Sequence, residues 1–202
     1  MELVIASTNM HKVREIRSLL KSLHWDVLSL RDFPNYVAPK ETGATLQENA
    51  KLKAHAASKA LKKWVLADDS GLIVPALQGL PGVNSSSFAG EGATDLENRK
   101  KLLSMMQGLY ETQRQAYFEC YLCLVSPEGE EKLFHGKCEG YIVEVPRGGA
   151  GFGYDALFRK HEYSKTFAEL DEGVKNKISH RGRAFDRLLP FLESLQEHAV
   201  LD

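Results

Sequence analysis

Asp68 and Asp69 follow directly on the apolar run Trp64-Val65-Leu66, inside the stretch Ala67-Asp68-Asp69-Ser70-Gly71. The run is short and apolar and reads as a buried strand. A desolvated carboxylate without a partner costs several kcal/mol, roughly. The pair therefore calls for a divalent cation, a basic residue or a water to be activated. A divalent cation beside an acidic group lowers the pKa of bound water and places it for in-line attack on phosphorus. Asp-Asp-Ser-Gly is also ordinary turn chemistry, so the motif alone leaves both readings open.

Four other stretches carry groups of matching chemistry. Ser7-Thr8-Asn9-Met10-His11-Lys12 lies between a first strand and a first helix. A helix N-terminus presents free backbone N–H groups and a positive dipole end, both suited to phosphate. Ser, Thr and Asn are equally what an ordinary helix cap uses. No Walker A pattern occurs in the chain. Asn49 and Lys53 are four residues apart and share one helix face, from which Lys53 can reach a phosphate or simply meet solvent. Gly151-Phe152-Gly153-Tyr154-Asp155 sets two aromatics and a carboxylate among glycines. An aromatic ring there can stack on a purine face, or pack at a glycine-rich hairpin end. Ser179-His180-Arg181-Gly182 opens the last helix, four residues after Lys175. Lys175, His180 and Arg181 can present donors to a base edge or to phosphates. Donors facing purine C6 pair with a keto oxygen and leave an amino group unmatched, a physical route to rejecting adenine. The alternative is a plain polar helix start.

Taken in order, and with Glu41-Thr42-Gly43 and Glu48-Asn49-Ala50, these blocks resemble the inosine/xanthosine triphosphate pyrophosphatase family. The resemblance runs from about residue 3 to the last helix. It implies hydrolysis of ITP, dITP and XTP to the monophosphate and pyrophosphate, with metal-assisted water attack on the α-phosphorus. It implies Asp69 as general base and Mg²⁺ ligand, Glu41 as a second ligand, and Ser70 on the nucleotide. It places triphosphate contacts on Ser7, Thr8, Asn9, Met10, His11 and Lys12, with Lys53 and Lys175 neutralising charge. Base contacts fall on Phe152, Gly153, Tyr154 and Asp155, with His180 and Arg181. The role of Asp68 stays open between holding a basic residue and holding a water. A homodimer is also implied.

The chain departs from the family's pattern at two places. Ser87 follows Ser85-Ser86 where arginine is usual, and Ala156 follows Asp155 where proline is usual. Arg99 or Lys100 can replace the missing cation. Two alternatives remain: a Maf-like pyrophosphatase for other modified nucleotides, and a nucleotide-binding sensor without turnover, which the loss at Ser87 suggests.

Several elements must position these groups. Leu3 to Ala6 reads as a first strand, and Val13, Ile16, Leu20 and Leu23 give a helical face. Trp25 to Leu30 is a second strand. Thr45-Leu46-Gln47-Glu48 and Thr94-Asp95-Leu96-Glu97 are capping boxes, opening helices to about Lys62 and Gln107. Trp64 to Ala67 and Leu72 to Val74 read as strands around an acidic turn. Gln115 to Ser126 alternates with period two, turns at Pro127 to Glu130, and returns over Lys132 to Val145 as a long antiparallel hairpin. Leu188, Leu189, Leu192 and Leu195 stripe a closing helix from about Ser179. These elements predict an α/β fold with a central twisted mixed sheet and helices on both sides. With the resemblance, they predict a single domain over 1–202 with two lobes around a nucleotide cleft, as in ITPase and Maf-like proteins.

Composition sets the outer bounds. The 202 residues carry 26 basic and 27 acidic side chains, a net charge of −1, which leaves no footprint for nucleic acid or an acidic membrane. No apolar run approaches the roughly 20 residues of a membrane span, and the N-terminus lacks the pattern of a signal peptide. Three cysteines make no disulfide framework, so a reducing, cytoplasmic setting is expected. Cys120 and Cys123 are three apart on a strand, point to opposite faces, and cannot share a metal.

Overall fold

The structure, a computed structural model, describes residues 1–201, with side chains to residue 197. Its elements in chain order are β1 (Glu2–Ile5), α1 (Met10–Leu19), β2 (Asp26–Ser29), α2 (Leu46–Leu61), β3 (Trp64–Ile73), α3 (Asp95–Met105), β4 (Gln115–Val125), β5 (Glu131–Ile142), β6 (Phe158–Lys160), α4 (Glu172–Ile178) and α5 (His180–Leu201). The strands form one six-stranded sheet in the order β2-β1-β3-β4-β5-β6. β1 runs parallel to both β2 and β3, and β6 pairs antiparallel with β5. The sheet is therefore mixed, as the combination of strand-helix-strand units and a hairpin requires.

The chain divides into two compact units, one built from 1–69, 120–136 and the residues from 181 onward, the other from 70–119 and 137–180. β3, β4 and β5 contribute residues to both.

In the first unit both sheet faces are covered. Leu3, Ile5 and Leu66 pack with Val13 and Ile16 of α1 and with Phe185, Leu188 and Leu192 of α5. Their neighbours Val4, Val65 and Ala67 point the other way, onto Ala50, Ala54 and Ala57 of α2. This is the strict alternation of a strand with two buried faces, and explains why β1 and the start of β3 are apolar throughout. Small alanines at 50, 54 and 57 let α2 lie close to the sheet. Cys120 belongs to the first layer and Cys123 to the second, on opposite faces as their spacing requires. The hairpin turn closes where expected: Ser126 N donates to Glu130 O, and Gly129 takes a φ of +97°.

In the second unit, Leu72, Phe118, Ile142, Leu157, Phe158 and Phe167 form one aromatic-rich core with Leu102 of α3 and with Met106, which follows that helix. Arg114 is buried there, its guanidinium donating to four backbone carbonyls at Met106, Leu109, Ile142 and Val143. These bonds give a buried guanidinium its partners and tie the end of α3 to β5.

Two readings need correction. The acidic stretch is not a turn between two strands: β3 runs unbroken from Trp64 to Ile73. β2 ends at Ser29, where Asp32 accepts from the Ser29 amide and hydroxyl. The closing helix starts at His180, as expected, and a further short helix, α4, precedes it, with Ser179 extended between the two.

Gly71 explains how β3 continues past the acidic pair. A Cβ there would sit 2.4 Å from the Gly82 carbonyl oxygen, and that backbone is pinned by Ser85, which donates to Gly82 O and accepts from Leu72 N. Gly71→Ala is expected to destabilise the fold by about 1–3 kcal/mol, as overpacking against fixed backbone does. A urea melt measures it, and an unchanged midpoint would contradict this packing.

Among the described residues, no helix is long and apolar enough to cross a membrane.

Candidate active site

β3 hands the two carboxylates to opposite faces, because consecutive strand residues alternate. Asp68 is fully buried. Its carboxylate accepts from Arg181 Nε at 2.8 Å and pairs with Lys12 Nζ at 2.7 Å, and Cys120 Sγ lies 3.2 Å from Oδ2. Arg181 is 2% exposed and also pairs with Glu15, which α1 carries into the interior. The cluster joins β3, α1 and α5. Burial alone would raise the Asp68 pKa, but Arg181 and Lys12 outweigh it and hold the carboxyl well below the usual range. Arg181 is likewise held firmly protonated: burial opposes its charge, and Asp68 and Glu15 overcome that. Of the two roles open for Asp68, the geometry shows the holding of basic residues.

Asp69 meets a different group. Lys53 Nζ lies 2.7 Å from Asp69 Oδ1, 2.9 Å from Glu41 Oε1 and 2.9 Å from the Asp68 carbonyl oxygen. Asp69 Oδ2 is buried and has no hydrogen-bond partner among the described residues. Burial raises the Asp69 pKa above the usual value, against the pull of Lys53 and Lys12 and with the help of Glu41. Lys53 is shifted up as well, since Asp69 and Glu41 outweigh its own burial. A carboxyl with an unsatisfied oxygen and a raised pKa is what a proton acceptor needs.

The loop that carries Glu41 is anchored by α2. Thr45 caps that helix by accepting from Glu48 N, and Glu48 reaches back to the amides of Ala44 and Thr45. Asn49 Oδ1 accepts from Gly43 N at 2.8 Å. A Cβ on Gly43 would lie 2.7 Å from that same oxygen, so the glycine is required by the close approach. Glu48-Asn49-Ala50 thus positions Glu41 for Lys53 one turn further along α2.

The helix-start motif also has a definite local structure. Asn9 caps α1, its Oδ1 accepting from the amides of His11 and Lys12, and Ser7 Oγ accepts from Asn9 N. Thr8, Asn9 and His11 are exposed, Ser7 and Met10 half-buried.

In the second unit a second constellation forms. Asp155 Oδ2 accepts from Lys175 Nζ at 2.6 Å and from Phe152 N at 3.0 Å. Lys175 Nζ stands 5.0 Å from the centre of the Phe152 ring. Gly153 is held from both sides, its amide on Asp95 and its carbonyl on Arg99. The Tyr154 hydroxyl donates to Ser85 O. Gly151 has a φ of +74°, and a Cβ there would fall on Asp155 Oδ2. His180 stacks on Phe118 at 4.6 Å, and Phe118 stacks on Phe167 at 6.1 Å. Ser70 lies half-buried on β3.

The expected residues therefore fall into two groups. Lys12, Glu41, Lys53, Asp69 and Arg181 converge around the acidic strand in the first unit. Phe152 to Asp155, Lys175 and His180 gather in the second. Arg181 gives its donors to Asp68 and Glu15 rather than to an open surface. Ser87 is exposed at the end of a 3₁₀ helix, while Arg99 spends its guanidinium on the Gly153 carbonyl. Glu15, Asp95 and Phe118 carry no local sequence signal of these partners, being two acidic residues on helices and an aromatic on a strand.

The donor set suits Mg²⁺. No group of three or more His, Cys, Asp or Glu side chains converges among the described residues. Two carboxylates, Glu41 and Asp69, converge on one cationic centre, and one Asp69 oxygen is unsatisfied. Mg²⁺ commonly takes one or two carboxylates and completes its shell with water and substrate phosphates.

Residues 3–191 match the model of the Ham1 family. The dITP/XTP pyrophosphatase of Protochlamydia amoebophila is 54% identical, over 98% of this chain and the whole of that relative. The dITP/XTP pyrophosphatase of Chlamydia abortus is 52% identical, over all of this chain and 98% of its own. A solved HAM1 protein from Coxiella burnetii superposes with a TM-score of 0.85 at 40% identity, covering 98% of this chain and 99% of that one.

Proposed function

The chain belongs to the Ham1 family, and from that membership and the geometry of its acidic strand we propose that it hydrolyses non-canonical purine nucleoside triphosphates (ITP, dITP and XTP) to the monophosphate and pyrophosphate. The observation that carries the reading is Asp69, a buried carboxylate with one oxygen on Lys53 and the other unsatisfied, beside Glu41. Glu41 and Asp69 would hold Mg²⁺, which when bound polarises the phosphates and lowers the pKa of water. Asp69 orients the attacking water and takes its proton at Oδ2. The water oxygen bonds to the α-phosphorus, the bond from that phosphorus to the bridging oxygen breaks, and pyrophosphate leaves.

Lys12 and Lys53 neutralise the triphosphate, and the Asn9-capped start of α1 adds backbone donors from Ser7 to Lys12. Arg181 contributes by holding Asp68, which in turn holds Lys12. Phe152 to Asp155, Lys175 and His180 form the base-recognising group, with Ser70 on the nucleotide. A Lys175 ammonium over Phe152 favours a keto oxygen over an amino group, since it donates and cannot accept. The protein acts in the cytoplasm, in keeping with three free, buried cysteines, and as a homodimer, as the family resemblance implies. A net charge of −1 gives no reason to expect nucleic acid as a partner.

Product analysis with Mg²⁺ tests the reading, offering ITP, dITP, XTP, GTP and ATP in parallel. Monophosphate and pyrophosphate from the first three, with at least about tenfold less turnover of ATP, is the expected result. Diphosphate and phosphate would move the attack to the γ-phosphorus. Tight ITP binding without products would replace the enzyme by a sensor.

A further inference from the structure

An ammonium group has three N–H donors. Lys53 commits all three: to Glu41 Oε1, Asp69 Oδ1 and the Asp68 carbonyl oxygen, each within 2.9 Å. In this arrangement it has nothing left for a phosphate. The same two carboxylates are the ones that would hold Mg²⁺. A divalent cation and an ammonium cannot share Glu41 Oε1 and Asp69 Oδ1 without strong like-charge repulsion. Lys12 cannot relieve the conflict, since it pairs with Asp68.

We propose that Lys53 is the resident counter-ion of the metal site: it competes with the divalent cation for Glu41 and Asp69, and moves to the substrate's phosphates when the cation enters. Glu41 is the partner Lys53 gives up first. Its side chain is 44% exposed, on a loop, whereas that of Asp69 is 8% exposed on a strand. The four-carbon stem of lysine lets the ammonium swing without moving α2. With both ligands bound, the cation balances the two carboxylates and the phosphates balance Lys53. It makes metal and triphosphate bind as a coupled pair, each removing the obstacle to the other. The inference rests on the pyrophosphatase reading for the identity of the anion, but the competition at Glu41 and Asp69 is measurable without turnover.

The test uses Mn²⁺ alone, followed by the loss of the free-ion paramagnetic signal, with the full chain and no nucleotide. Lys53→Met is expected to bind Mn²⁺ about tenfold more tightly than the parent, the effect of removing one contact charge. Lys53→Gln, which keeps polar contacts, should show the same gain. Glu41→Gln placed on Lys53→Met should abolish it, which distinguishes this site from surface binding. The reciprocal arm uses pyrophosphate alone in chelator. Glu41→Gln should bind it several-fold more tightly, and the gain should vanish in the double variant. Folded Lys53→Met and Lys53→Gln proteins that bind Mn²⁺ no more tightly than the parent would overturn the proposal. Exchange intact with no hydrolysis of ITP would instead sink the pyrophosphatase reading and leave the exchange standing.

Discussion

Asp69→Asn is expected to lower kcat for ITP by about 10²–10⁴-fold, the range for loss of a positioned general base, while leaving the fold intact. The substitution preserves the shape of the side chain and an oxygen for Lys53. It removes the negative charge and puts an amide at one of the two positions where Asp69 has its oxygens. Asp69 is a carboxylate that the fold tolerates rather than favours, since its burial pushes the pKa up. Neutralising it therefore costs little stability, as is common where function has been set against stability. Steady-state kinetics beside a thermal melt checks both halves. A variant with near-parental kcat would remove Asp69 from the chemistry.

Arg181→Met should do the reverse. Arg181 is the largest fully buried side chain among the described residues, and its guanidinium bridges two buried carboxylates, Asp68 and Glu15. Removing it takes from Asp68, fully inaccessible to water, one of its cationic partners beside Lys12. Breaking a buried pair from one side costs about 3–5 kcal/mol, a large part of the roughly 5–15 kcal/mol that holds a domain folded. The variant is expected to unfold at markedly lower urea. Arg181→Lys keeps the charge but cannot span both carboxylates with a planar fork, so it should recover only part of the loss. A midpoint unchanged in Arg181→Met would show that the cluster does not hold β3, α1 and α5 together. The two aspartates, adjacent in sequence, thus meet different partners: Asp68 the Arg181–Glu15–Lys12 cluster, and Asp69 the Lys53–Glu41 pair where we place the reaction.

That separation was not legible in the sequence, and the reason is physical. Asp-Asp-Ser-Gly has every local preference of a turn, and only pairing with neighbouring strands keeps it extended. Strand alternation then sends the two side chains to different partners, and these lie far along the chain, from Lys12 to Arg181. Long-range partners leave no local trace. For the same reason nothing local in the sequence pairs Arg181 with Asp68 and Glu15. The seven residues of α4 are too few to show a period. The features that were legible are those set by near neighbours. The capping boxes at Thr45 and Thr94 stand as read. The alternation of β4 predicted its two faces, and the apolar spacing of α1 and α5 predicted what they bury. The blocks around Asn9, Glu48, Asp69 and Asp155 were found by their resemblance to a family, and the structure adds how each is held: a helix cap, a pinned loop, a strand face and a lysine pair.

Water attack on the α-phosphorus, with Asp69 as the base, is what we propose for this protein. Hydrolysis of ITP in ¹⁸O-labelled water, with mass analysis of both products, puts it to the test. One labelled oxygen in the monophosphate and none in pyrophosphate is expected. Label in pyrophosphate with an unlabelled monophosphate would place the attack on the β-phosphorus and overturn the mechanism.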